Sequence, residues 1–105
     1  MGLGYNGGEL LLLAIGACYC NDIFREAAKL DIAVKSVHID VEGDWGGEPV
    51  RAQNVSFAVR VEADGDEAQI RALIEHTDRV AEIHNSLRHG TSVTLTGIQA
   101  IPVRR

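Results

Sequence analysis

Glu9-Leu10-Leu11-Leu12-Leu13-Ala14-Ile15-Gly16-Ala17-Cys18-Tyr19-Cys20-Asn21-Asp22-Ile23-Phe24-Arg25 is the stretch that decides the fold. It contains no proline, and its first three turns are apolar on nearly every side, which predicts a helix covered all round rather than one lying on a surface. At 100° per residue the two cysteines separate. Cys18 falls on the flank of Asp22, Arg25 and Lys29, whereas Cys20 points the other way, among Leu13, Gly16 and Phe24. A helix therefore keeps them from pairing in a disulfide. Cys18 is the candidate reacting thiol and Cys20 a core residue. Gly2, Gly4, Gly7 and Gly8 set the helix start near Gly8 or Glu9, and its end is expected near Leu30–Asp31.

Beyond this helix, Val37, Ile39 and Val41 alternate with His38, Asp40 and Glu42 as a half-buried strand, and residues 43–49 read as a hairpin turn. Trp45 in that turn reads as a hydrophobic lid over the sheet edge. Val55, Phe57, Val59 and Val61 face inward on a second strand. Asp66 with Gln69 three residues later is a capping box opening a second helix, whose buried face is Ile70, Leu73, Ile74 and Thr77. Val80, Ile83, His84 and Leu87 continue at helical spacing into a further short turn, which Gly90 stops. Thr91 to Val103 reads as a last strand, with a bulge at Gly97. The order is α-β-β-α-β, an α+β single domain over residues 1–105. Three strands have too little face to cover a helix apolar on every side, so a second copy of the chain is expected to bury the rest.

Composition bounds the function. A net charge of −5, with 10 Lys and Arg scattered among 15 Asp and Glu, argues against nucleic acid or an anionic membrane as partner. The apolar run Leu10–Ala17 is shorter than a bilayer span. Two cysteines make no disulfide framework, and with no signal peptide at the chain start the expected setting is cytoplasmic and reducing. Asn54-Val55-Ser56 matches a glycosylation sequon and Gly2-x-Gly4-x-x-Gly7 a dinucleotide fingerprint. The first lies in a strand pattern without secretion signals, the second lacks a preceding strand, and neither is assigned a role. No cofactor is expected, and a Cys-x-Cys metal site with His84 or His89 would need both thiols on one side of the helix. His38 and His76 fall on outward or polar faces and are given no role.

The helix motif ending in Cys18, followed by two strands, a helix and Ile83-His84-Asn85-Ser86-Leu87, resembles the OsmC/Ohr family of osmotically inducible and organic hydroperoxide resistance proteins. The resemblance runs from about Asn6 to Ala100. It implies an intertwined homodimer with a long buried central helix in each subunit, and a stress-response thiol peroxidase with peroxiredoxin-like activity. In such an enzyme a cysteine in the central helix becomes a sulfenic acid, a second cysteine condenses with it, and a thiol reductant restores the pair. Cys18 matches the peroxidatic position. On the same register Ala81 stands where the second cysteine would be and Glu82 where a proline would be. The family's glutamate segment becomes Asn6-Gly7-Gly8-Glu9, leaving Glu9 one position off. The chain is expected to lack the family's N-terminal strands and their arginine, and Arg25 or a residue from the partner subunit is the candidate thiolate stabiliser. Glu9 is the candidate peroxide orienter, and His84 and Asn85 are candidate binding residues at the subunit interface. Two functions follow from different classes: a single-cysteine peroxidase regenerated by an external thiol, and a catalytically degenerate relative that binds an apolar ligand or a partner.

Overall fold

The computed structural model describes residues 6–103, so Gly2 and Gly4 of the glycine-rich start lie outside the described residues. Helix α1 (Gly7–Lys29) is followed by strands β1 (Val34–Gly46) and β2 (Arg51–Ala63), then helices α2 (Glu67–Val80) and α3 (Glu82–Arg88). Both long helices open on a capping box, Asn6 with Glu9 and Asp66 with Gln69, in which side chain and backbone satisfy each other's free amides.

β1 and β2 form an antiparallel pair that brings Val37 opposite Val61, Ile39 opposite Val59 and Val41 opposite Phe57. The alternating pattern thus lands on one face. The strands run further than their alternation predicts, because the ladder crosses residues 43–46 through a register irregularity between Glu42 and Asp44. Asn54, with φ of 51°, takes up the extra residue there, and Gly43 lies so close to Val55 that a Cβ would stand 3.1 Å from its methyl group. The turn narrows to residues 47–50, and Trp45 becomes a strand residue, half exposed, with its indole against Gly8.

The core is small: Tyr19, Ile23 and Ala27 of α1 with Leu73 of α2, flanked by Val37, Ile39, Phe57, Val59 and Ile74. All of it lies against the C-terminal half of α1. Two expectations are corrected here. Residues 91–103 form no strand, so neither a third strand nor a bulge at Gly97 exists among the described residues. They leave the body as an arm in a molecule 69 × 26 × 26 Å, with Val93 96% and Val103 89% exposed. A strand needs a neighbour to accept its ladder hydrogen bonds, and the single chain offers none there. Nor is α1 buried all round: Leu10 and Leu13 are half exposed, and Cys20 is only half-buried rather than in the core.

By length and composition alone α1 is apolar enough to cross a membrane. Its last two turns, however, bury Asp22 and Glu26 against protein partners, which is the chemistry of a protein interior rather than of lipid.

Candidate functional site

Cys18 sits where α1 passes the start of α3. Its position on the flank of Asp22 and Arg25 is as the helical wheel gives it. The thiol donates to Asp22 Oδ2 at 3.5 Å and lies 3.9 Å from Glu82 Oε2. Asp22 is 1% exposed, and its other oxygen lies 3.2 Å from Arg25 Nη1. The same nitrogen donates to Glu82 Oε1 at 3.1 Å, while Arg25 Nε donates to Glu26 at 2.9 Å. Arg25 is thus held by three carboxylates. That holds its own pKa above the usual arginine value, Glu26 and Glu82 contributing most.

The electrostatic balance raises the pKa of Cys18. Burial is the largest influence raising its pKa, with the Asp22 hydrogen bond and the charges of Asp22 and Glu82 acting in the same direction. The backbone N–H of Ile83 opposes them by favouring the thiolate. It can do so because α3 starts afresh at Ala81, whose extended backbone breaks the helical run and whose side chain caps nothing. Sγ and one oxygen each of Asp22 and Glu82 lie within 4.8 Å of one another. Distance alone would admit a thiophilic divalent cation, but Arg25 already binds an oxygen of each carboxylate.

Behind Arg25 is a charge centre that sequence periodicity missed. Glu26, 4% exposed, accepts from Arg25, from Lys29 at 3.1 Å and from His76 at 2.7 Å. These partners hold its pKa at about 2, Arg25 most strongly and then His76. Helical spacing put His76 on the polar side of α2, which is correct. Spacing within one helix carries no information about an acid on another.

The remaining candidates are dispersed. Glu9 is exposed and occupied in the first-turn capping box, nine residues and about 13 Å of helix from Cys18. Asn85 donates to the Arg79 carbonyl at 2.9 Å and so closes the end of α2. His84 is 4% exposed and packs against Tyr19, tilted, and Phe57, edge to face, with ring centres 5.8 and 4.6 Å away. Neither of its nitrogens has a partner among the described residues, and burial keeps its pKa below the usual histidine value. With Leu11, Ile15, Phe57 and Leu87 it lines a cavity of about 340 Å³ rimmed by Gln53, Asn54 and Arg88. Cys18 is not part of that cavity's lining.

The family model for OsmC-like proteins matches residues 1–96. The chain belongs to the OsmC-like family. Solved structures agree on the fold. It is similar to an OsmC-like protein from Mycoplasma pneumoniae, with a TM-score of 0.75 and 18% identity over 86% of this chain and 66% of that one. An OsmC-like hydroperoxide resistance protein from Jannaschia sp. gives a TM-score of 0.69 and 17% identity over 96% and 71%. An OsmC-like protein of unknown function from Vibrio cholerae gives 0.62 and 20% over 76% and 56%. The chain therefore spans 66% of the Mycoplasma protein and 56% of the Vibrio one. No curated protein matches it.

Proposed function

We propose that this OsmC-like protein is a thiol redox protein in which Cys18 reduces an organic hydroperoxide. The observation that carries the reading is the placement of Cys18: half-buried at the junction of α1 and α3, with the Ile83 amide able to support a thiolate and a guanidinium in the same cluster. The thiolate would attack the distal peroxide oxygen. The O–O bond breaks, the sulfur becomes a sulfenic acid, and the departing alkoxide takes up a proton to leave as the alcohol. Ala81 and the half-buried Cys20 on the far flank offer no internal second thiol. Restoration therefore needs two equivalents of an external thiol, the first forming a mixed disulfide with loss of water and the second releasing Cys18. Free thiols in such a cycle suit a reducing, cytoplasmic setting. Peroxide consumption with dithiothreitol tests the reading. Wild type should turn over and Cys18→Ser should not; equal background rates in both would sink it.

The reading includes a homodimer. Support comes from apolar surface left bare: Leu10, Leu13 and Phe24 on α1 are about half exposed, and Val93, Leu95, Ile98, Ile101 and Val103 on the arm are 78–96% exposed. A second copy offers the matching open strand edges.

One observation favours a second reading, a relative without turnover that binds an apolar molecule. Burial and the neighbouring carboxylates raise the pKa of the thiol, and the cavity beside His84 is lined mainly by apolar side chains. Alkylation of Cys18 across pH separates the two. A midpoint at or above the ordinary thiol value of about 8.5 favours binding, and a clearly lower one favours the enzyme.

A further inference from the structure

The Glu82 side chain does two things at once. One oxygen lies 3.9 Å from Cys18 Sγ and the other accepts from Arg25 Nη1 at 3.1 Å. We propose that Glu82 is a positioning residue that latches the Cys18 thiol in its unreactive form, by placing a negative charge against the sulfur and by drawing the Arg25 guanidinium onto carboxylates. The proposal rests on the reading of Cys18 as the reacting thiol.

Geometry separates Glu82 from its neighbours in the cluster. Asp22 is buried at 1% exposure and tied into the helix three residues from Arg25, so it cannot leave without unpacking α1. Glu82 is 66% exposed in its side chain and stands at the first position of α3, beyond the backbone break at Ala81. It can swing into solvent at little cost, because an exposed ion pair contributes little to stability. The charged groups against the sulfur are Asp22 from α1 and Glu82 from α3, and Arg25 joins the cluster through both carboxylates. Helix α2 reaches the cluster through His76, which is bound to Glu26 behind Arg25. Withdrawing Glu82 removes one of two negative charges beside the sulfur and leaves Arg25 with one fewer competing acceptor. Both changes favour the thiolate, and the Ile83 amide that already supports it stays in place.

The test is the pH profile of iodoacetamide alkylation, measured at low salt in a Cys20→Ser background so that Cys18 alone reports. A unit charge removed at about 4 Å from a mostly exposed position raises the thiolate fraction near pH 7 about fivefold. Because a less basic thiolate is a weaker nucleophile, the alkylation rate should rise about two- to threefold. Glu82→Gln should move the profile midpoint down, whereas Glu82→Asp, which keeps the charge, should stay near wild type. An unchanged or raised midpoint in Glu82→Gln overturns the proposal, and so does an equal fall in both variants, since charge would then not be the cause. Glu82→Ala provides a second neutral variant, with circular dichroism confirming the fold. Peroxide consumption in the same proteins keeps the two ideas apart. Faster alkylation without turnover in any variant leaves the latch standing and removes the peroxidase, while an unmoved midpoint removes the latch whatever the turnover.

Discussion

The two halves of α1 invert the usual rule of burial. Its N-terminal half is leucine-rich, yet Leu10 and Leu13 stand half exposed; its C-terminal half carries the charges, yet Asp22 and Glu26 are 1% and 4% exposed. Hydropathy alone would assign them the other way round. The difference lies in which partners the chain itself provides. Helices α2 and α3 and the inner face of the sheet close over the second half, where Arg25, Lys29 and His76 satisfy the acids. Over the first half the single chain supplies the β1–β2 ribbon and residues of α3, and leaves two open cavities. Burial of a carboxylate is tolerable when its hydrogen bonds and counter-charges come with it, and exposure of leucine is tolerable when a second subunit removes it.

The comparison breaks first on packing. Ile23→Ala empties a fully buried site and should cost about 2–5 kcal/mol in chemical denaturation, independent of protein concentration. If it costs no more than a surface change, the C-terminal half is not the core. Leu13→Asp should leave each chain's fold intact but weaken association by about 1.5–3 kcal/mol per subunit. If the proposed homodimer forms through this half, sedimentation would then show more monomer than wild type, and unchanged sedimentation would mean that the leucine-rich half is not the interface. His84→Phe keeps the aromatic packing against Tyr19 and Phe57 while removing two unpaired nitrogens, so it should stabilise the protein by about 1 kcal/mol. A loss of stability would mean those nitrogens are used in the assembled protein.

The smallest effects are in pH dependence. Above about 6.5 His84 is neutral whether folded or unfolded and its contribution is intact. As pH falls below that value the unfolded chain takes a proton that the buried ring resists, so stability declines, and His84→Phe should flatten this limb. Glu26 acts lower down. Its folded pKa of about 2 lies below its ordinary 4.5, so its stabilisation is complete above 4.5 and is lost as pH falls toward 2. Glu26→Gln should remove that slope from an acid titration followed by circular dichroism. An unchanged slope would show that Arg25, Lys29 and His76 do not hold Glu26 as the geometry implies.

How much could be read in advance varies by element. The Asp66–Gln69 capping box, the inward faces of β1 and of β2 from Phe57 to Val61 and the separation of Cys18 from Cys20 follow from spacing within one element, and the structure has them; Val55, at the bulge, is exposed instead. The length of the strands was hidden by glycines that look like a turn, because a bulge at Asn54 carries the ladder through them. Thr91–Val103 has strand composition without a strand, since pairing requires a partner that composition does not reveal. At the candidate site, Cys18 and Arg25 were legible on one helical flank. Glu82 as a bridge, and Glu26 with His76, were not, because each joins side chains from different helices.

The sequence by itself determined the central helix, the cap of the second, the amphipathic strand pair, family membership and the flank on which the thiol stands. Those depend on periodicities of 3.6 and 2 residues and on local hydrogen bonds. Only the tertiary structure decided that the charged half of that helix would be inside, that Arg25 would be shared among three carboxylates, and that burial and two carboxylates would raise the pKa of the thiol. Charge and burial at a point are sums over elements distant in the chain, and only folding brings the terms of that sum together.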